Sequence, residues 1–428
     1  MLWFMRPTRS LIVATAAAAA ALATVGVVAA TATTANAANG TPLPAHVFAP
    51  YFEAFNGDSL SGLASQSGNK FMTMAFLQTA STGSCTVDWN GDTTMPVGST
   101  FASDINTIRA SGGDVIPSFG GFAADNTATE IADSCTNVAS IAQQYENVIT
   151  TYNVTRLDLD TEDNSLTNTA GIDRRNKAIK MVEDWAAANG RTVQFSYTLP
   201  TTVNGLGQTG LNVLQNAVAN NARVDVVNIM TFDYFDNATH EMANDTMTAG
   251  NGLVGQLRQL FPGKSTSELW GMVGITEMPG IDDFGAAETF TTADATAVEN
   301  WAVSQGINTL SFWAVQRDNG GCPGTKGAGT CSGVAQSTWQ FSQAFQPFTS
   351  GGSQPPPPPP TTTTAPPTTT TAGGGTGGCT GVAAWNNQTA YTAGMTVTNG
   401  GHKWTANQWN YNEVPGGPAG AWDDNGPC

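Results

Sequence analysis

Residues 156–162 read Arg156-Leu157-Asp158-Leu159-Asp160-Thr161-Glu162, and their alternation decides the fold. A strand repeats every two residues, so Asp158, Asp160 and Glu162 share one face while Leu157 and Leu159 take the other. In a strand buried on both sides, the leucines pack against helices and the carboxylates point inward. Three stacked carboxylates repel one another, and each is costly to desolvate when ionised and unpaired. Stability gains nothing from such a row, so it points to acid chemistry. Mutual repulsion raises at least one pKa and keeps a proton available for a leaving group. The bland alternatives are a solvated acidic edge and a calcium loop. A calcium loop wants Gly and Asn or Asp oxygens in a turn, not leucines between the acids.

On either side of this run, short β-rich stretches alternate with helical patterns. The strand candidates are His46–Phe55, Lys70–Ala80, Asp114–Phe122, Arg156–Glu162, Thr192–Pro200, Val224–Tyr234, Leu269–Pro279 and Thr309–Asp318. Helical patterns between them include Ile131–Tyr152, Ile172–Asn189 and Ala293–Gln305. This order implies an α/β fold with a parallel sheet, and eight such units can close into a (β/α)8 TIM barrel. The active site of that fold gathers at the C-terminal strand ends. Polar residues do cluster at the ends of these runs.

The N-terminus reads as an export signal over residues 1–37. Arg6 and Arg9 precede an apolar run from Leu11 to about Ala30, and Ala35-Asn36-Ala37 offers a cleavage site. A membrane anchor is the alternative, but the cleavage pattern follows directly and no second apolar span exists. The six Cys all lie beyond this signal, and an even count in an exported chain favours disulfides over metal ligation. Proximity suggests Cys85–Cys135, Cys322–Cys331 and Cys379–Cys428, one of many possible pairings. With 3 His and no C-x-x-C, no metal site is expected. The net charge of −17 argues against nucleic acid as a partner and fits a neutral polymer.

A boundary lies at residues 350–378, where Gly351-Gly352, the prolines Pro355 to Pro360, Thr-rich tracts and a Gly-rich tail follow one another. Such a segment buries no core and reads as an extended spacer. Residues 38–349 then suit one large barrel. Residues 379–428 form a module too small for a sizeable core, which a Cys379–Cys428 bridge would staple. This module holds Trp385, Trp404, Trp409 and Trp422, with Tyr391 and Tyr411. So short a piece cannot bury them all, and an exposed aromatic face reads as polysaccharide-binding.

The row Asp158-x-Asp160-x-Glu162 resembles the D-x-D-x-E signature on strand four of family 18 glycoside hydrolases. Ser118-Phe119-Gly120-Gly121 is similar to that family's S-x-G-G motif on strand three, and Met230-Thr231-Phe232-Asp233 to its M-x-Y-D motif on strand six. Trp313 matches the tryptophan flooring the central sugar subsite, and Tyr51 and Ala75-Phe76 also fit. The resemblance covers nearly all of residues 45–345. Any single motif is weak, but four in order at strand ends are specific.

The resemblance implies a retaining, substrate-assisted hydrolysis of chitin or chitooligosaccharides, without a cofactor. Glu162 would be the general acid, and Asp160 would orient the substrate's 2-acetamido group. Asp158 would share a proton with Asp160 from deeper in the barrel. Substrate contacts would come from Tyr51, Phe76, Ser118, Gly120, Met230, Asp233, Tyr234 and Trp313. Two departures stand out. Thr155-Arg156-Leu157 replaces the usual D-G-x ahead of the acids, at the strand's start and away from the chemistry. Phe232 replaces a tyrosine whose hydroxyl bonds the acetamido oxygen, and Tyr234, two residues along, is the candidate substitute. Core packing is the competing role for Trp313, Phe119, Tyr51 and Met230.

In the small module, Ala384-Trp385-x5-Tyr391-x2-Gly394, then Trp404-x-Ala406-x2-Trp409 and Pro415, resembles family 5/12 carbohydrate-binding modules, which are β-rich and bind chitin. The usual adjacent tryptophan pair is broken, since Gln408 precedes Trp409. Trp404, Trp409 and Tyr411 are the expected binding residues, and Trp385, Tyr391 and Trp422 the expected core. The whole implies a secreted, extracellular, monomeric chitinase with no membrane partner. Alternatives are an endo-β-N-acetylglucosaminidase on other glycans and a catalytically silent chitin lectin. The short loop Ile281–Thr292 favours an open, endo-type cleft.

Overall fold

The computed structural model describes residues 42–350 and, nearer the C-terminus, 379, 382–386, 390–391, 394–406, 410–411, 414–417 and 421–428. The export signal expected over 1–37 and all but the first residue of the spacer expected over 350–378 lie outside the described residues.

Among the described residues, eight parallel strands close into a barrel. Strand one is split into Val47–Phe48 and Tyr51–Glu53. It is followed by Phe71–Thr79, Asp114–Gly120, Arg156–Asp160, Gln194–Thr202, Val226–Met230, Val273–Glu277 and Thr309–Phe312. Each pairs with its successor in the chain. The split in strand one makes the closure. Its first half pairs with strand eight, Val47 opposite Thr309, and its second half with strand two, Tyr51 opposite Thr73. Pro50 sits in the gap, where its missing N–H costs no ladder bond.

One longer helix follows each strand: Leu60–Ser67, Ala102–Ala110, Val138–Tyr152, Thr169–Ala188, Gln208–Ala219, Met242–Leu260, Thr292–Gln305 and Gln340–Thr349. Leu157 and Leu159 are buried in the apolar layer between strands and helices. The barrel interior is polar instead. Arg156 opens strand four facing inward and fully buried, donating to Gln194 Oε1 at 2.8 Å and across the barrel to Thr309 Oγ1 at 3.0 Å. The departure at Thr155-Arg156-Leu157 is therefore structural, because Arg156 plugs the end of the barrel opposite the site.

Several expected boundaries shift for local reasons. The pattern over Ile131–Tyr152 is two helices, Ile131–Ser134 and Val138–Tyr152. Cys135 turns extended to meet Cys85, and the Asn137 side chain caps the second helix. Strand seven starts at Val273 rather than Leu269, because a Ser265–Glu268 capping box begins a helix over Thr266–Trp270. Strands three, six and eight end at Gly120, Met230 and Phe312, short of the expected Phe122, Tyr234 and Asp318.

The three disulfides are Cys85–Cys135, Cys322–Cys331 and Cys379–Cys428. In the C-terminal module, Thr396–Asn399, His402–Ala406 and Trp422–Pro427 form an antiparallel sheet. Ala390–Tyr391 pairs with Asn410–Tyr411. A small core of Tyr391, Val397, Ala406, Ala421 and Trp422 lies there, with Trp385 and Trp404 packed against it. Among the described residues, no helix is long and apolar enough to cross a membrane.

Candidate active site

Asp158 lies deepest of the three stacked acids, and four hydroxyls converge on it. Tyr51 and Ser118 donate to Oδ2 at 2.9 and 2.6 Å, Thr198 donates to Oδ1 at 2.7 Å, and Ser196 also donates to Oδ1. These come from strands three and five on either side of strand four and from strand one across the barrel. Burial first, then the charges of Asp158 and Asp160, push the Tyr51 phenol well above its ordinary pKa, so it stays a donor. Asn228 on strand six extends the network, donating to Thr198 and Thr276. The proton expected between Asp158 and Asp160 is not seen as a hydrogen bond, because the hydroxyls occupy Asp158.

Asp160 is buried, and its Oδ1 meets no hydrogen-bond donor. Burial first, then the charges of Glu162, Asp158 and Asp125, hold it well above the carboxylate range. Glu162 keeps an extended backbone beyond the strand's last pair (φ −129°, ψ 172°), so the alternation carries it to the same face. It is half-buried at the mouth of the barrel. Burial and the charge of Asp163 push it up to about 7, with Asp233 and Asp283 adding and the Phe122 amide opposing. The buried carboxylate of Asp125 accepts the Glu162 backbone N–H and fixes this end of the strand.

The glycine pair beside the acids is required by close approach. A Cβ on Gly120 would stand 2.1 Å from the Asp160 carbonyl oxygen, and one on Gly121 would meet the Phe76 ring at 2.5 Å; both have positive φ.

Above the acids opens a cleft of about 590 Å³ at the C-terminal strand ends. Of the residues expected there, Tyr51, Phe76, Asp160, Glu162, Met230, Asp233 and Trp313 line it. Trp313 stacks on Phe76 with centroids 5.5 Å apart and planes 11° apart, and Tyr51 packs against both. Ser118 and Asp158 lie behind this surface and act through hydrogen bonds, and Gly120 acts through backbone clearance.

Tyr234 is a correction. Phe232 lines the cleft and Tyr234 does not. Asp233 takes a left-handed φ of 52° after the strand has ended, so the two-residue alternation fails there. The Tyr234 ring packs on His240 at 4.8 Å, and its hydroxyl is buried without a partner. It cannot replace the hydroxyl missing at Phe232.

Sequence reasoning missed Phe122, Phe235, Thr198, Thr276, Asp125 and Asp283. Phe122 and Phe235 line the cleft while 64% and 60% exposed, which marks them as surfaces waiting for an apolar face. Phe122 followed the glycine pair and was legible there. Thr276 offered no signal: it lines the cleft, accepts from Asn228 at 2.7 Å and keeps its own hydroxyl proton.

Asp233 accepts the amides of Asp283 and Phe284 at 3.0 and 3.1 Å, tying the loop after strand seven to the cleft wall. Burial, then Asp282 and Asp283, push it up to about 7. Among the described residues, two groups bring their ligand atoms close enough to hold a cation: Asp233, Asp282 and Glu288, and Asp236, His240 and Glu288.

In the C-terminal module, Tyr391 and Trp422 are buried and Trp385 packs beside them. Trp404 is half-buried on the same core, its indole N–H bonded to the Asn399 carbonyl at 3.0 Å. It is partly a packing residue, and only the rest of its ring is available. Trp409 and the side chain of Tyr411 lie outside the described residues.

A model of the family described as glycosyl hydrolases family 18 matches residues 47–258. The chain is 33% identical over 330 residues to the "Probable bifunctional chitinase/lysozyme" of Escherichia coli (strain K12), covering 72% of this chain and 36% of that one. It is 33% identical over 303 residues to "Endochitinase 11" of Metarhizium anisopliae, covering 65% and 54% respectively. This chain thus spans only 36% and 54% of the lengths of these curated relatives. Among solved structures, the catalytic domain of a hyperthermophilic chitinase from Pyrococcus furiosus superposes with a TM-score of 0.64 at 30% identity. That match covers 74% of this chain and 99% of the other.

Proposed function

We propose that this chain is an exported chitinase of glycosyl hydrolase family 18, the family whose model matches residues 47–258. It hydrolyses β-1,4 bonds between N-acetylglucosamine units with retention, assisted by the substrate's own acetamide. The observation that carries the reading is the row Asp158, Asp160, Glu162, which runs from a hydroxyl cage to the cleft mouth and ends in an acid raised to about 7.

Glu162, still protonated near neutrality, gives its proton to the glycosidic oxygen as the bond from that oxygen to C1 breaks. The acetamido carbonyl oxygen of the same sugar bonds to C1 and forms an oxazolinium ion, the substrate-assisted exception to the two-carboxylate scheme. Asp160 accepts the acetamido N–H and balances the positive charge, while Asp158 in its hydroxyl cage holds the inner end of the row. The Glu162 carboxylate then takes a proton from water as that water attacks C1 and restores the acetamide. Trp313 and Phe76 supply the apolar floor on which the C–H face of the sugar rests.

Three disulfides suit an oxidising compartment and support export. The C-terminal module holds the enzyme on insoluble chitin, which raises its local concentration at the polymer. Phe232 in the cleft favours one second reading, a silent chitin binder. Product release from insoluble chitin and from soluble chitooligosaccharides by wild type and Glu162→Gln, with cellulose as control, separates the two. An enzyme loses at least about a hundredfold activity in the variant. A wild type that pellets with chitin but releases nothing is the binder.

A further inference from the structure

We propose that Arg317 is a positioning residue for the substrate. From behind the cleft it clamps the loop after strand seven to the Cys322–Cys331 loop, and so holds Asp233 and Asp283 in the wall that grips a sugar chain. For its substrate the inference rests on the chitinase reading. Arg317 lies in the turn Val315–Arg317 after strand eight and is 0% exposed. Its Nη2 donates to the carbonyls of Pro279 and Ile281, both at 2.9 Å, and its Nη1 to the carbonyl of Ala328. Pro279 and Ile281 belong to the loop after strand seven, and Ala328 lies inside the loop that the Cys322–Cys331 bridge closes.

The two loops also meet directly. The Ile281 N–H donates to the Ser332 carbonyl at 2.8 Å, and the Gly327 N–H to the Ile281 carbonyl at 3.3 Å. A Cβ on Gly327 would stand 2.0 Å from Asp283 Oδ1, so the bridged loop presses on the back of that acid. From Asp283 the tie runs to the cleft. The Asp283 and Phe284 amides donate to Asp233 Oδ1, and both acids line the cleft. Burying a guanidinium is costly, and apolar packing serves stability as well, so its presence here points to function. Burial works against the charge, and the nearby acids Asp283, Glu53, Asp233 and Asp282 support it. The planar fork matters, because it aims donors at carbonyls of two segments at once, where a lysine ammonium is a single point charge.

The test compares the full chain as wild type, Arg317→Gln, Arg317→Lys and the double variant Cys322→Ser with Cys331→Ser. Steady-state kinetics on a soluble chitooligosaccharide are paired with amide hydrogen exchange in the absence of substrate. In Arg317→Gln, KM rises by about tenfold while kcat stays within about threefold of wild type, as for a group that acts on binding rather than on the reacting bond. Exchange at the Asp283 and Phe284 amides quickens by about tenfold or more, while the barrel strands stay protected. Arg317→Lys recovers little of either effect. Opening the bridge reproduces both changes in weaker form, and combined with Arg317→Gln it adds less than the single effects together. If Arg317→Gln fails to fold, Arg317→Lys and the bridge variant decide. Unchanged KM and exchange, a loss confined to kcat, or full recovery by lysine overturns the proposal. If wild type turns over no chitooligosaccharide, the chitinase reading falls, and exchange at Asp283 and Phe284 decides the clamp by itself.

Discussion

The Tyr51 hydroxyl stands 2.9 Å from Asp158 Oδ2, joining the first strand of the barrel to the innermost acid of the fourth. Tyr51→Phe removes this donor and leaves the ring in place against Trp313 and Phe76. We expect a drop of about tenfold or more in kcat with KM little changed, and a stability loss of about 1–2 kcal/mol. Steady-state kinetics on a soluble chitooligosaccharide and urea unfolding check both. A change confined to KM would place the effect in substrate binding instead.

As the proposed general acid, Glu162 would have to be protonated to act, and its pKa is raised to about 7. The value of kcat/KM is therefore expected to fall as pH rises through about 7, approaching tenfold per unit above it. A profile from pH 4 to pH 9 reads this directly. Full activity at pH 9 would remove Glu162 as the acid.

The same shift sets a stability signature. The folded pKa lies above the unfolded value of 4.5, so the proton on Glu162 favours the folded state below about 4.5. That contribution is lost as pH rises through about 7. Glu162→Gln removes the charge that causes the loss. The variant is expected to be more stable than wild type at pH 8, by at most about 3 kcal/mol, and equal to it at pH 4. Denaturant midpoints at both values test the sign.

Gly120→Ala sets a methyl 2.1 Å from the Asp160 carbonyl at a φ of +95°. Neither atom belongs to a flexible side chain, so strands three and four must separate. The expected cost exceeds about 3 kcal/mol, with activity lost at temperatures where the fold survives. Circular dichroism melting beside a chitooligosaccharide assay shows whether the two losses coincide.

Phe232→Tyr places a hydroxyl on the cleft wall. If the acetamido oxygen lacks a donor there, kcat should rise by about two- to tenfold with a smaller change in KM. An unchanged kcat would indicate that another group, with Thr276 in the cleft lining a candidate, already serves that oxygen.

The row of acids was legible because a strand's two-residue period is blind to context. Leu157 and Leu159 went outward and the acids inward, as the alternation required. The glycine pair and Trp313 were legible because they sit where strands end. Tyr234 failed for the same reason the others succeeded: its alternation was extended past Met230, where the backbone turns left-handed and the period no longer holds. Cys135 likewise broke a helical pattern that looked continuous, because its bridge to Cys85 is a long-range bond.

By itself, the sequence determined the strand and helix order, the closed α/β class and the face on which the acids lie. These follow from periodicity, which is local. Only the tertiary structure decided that four hydroxyls from three strands cage Asp158, that Asp125 anchors Glu162, and that Thr276 and Phe235 reach the cleft. Those contacts join residues tens to hundreds of positions apart. Barrel closure alone brings such residues together, since no local pattern records which strand will become a neighbour.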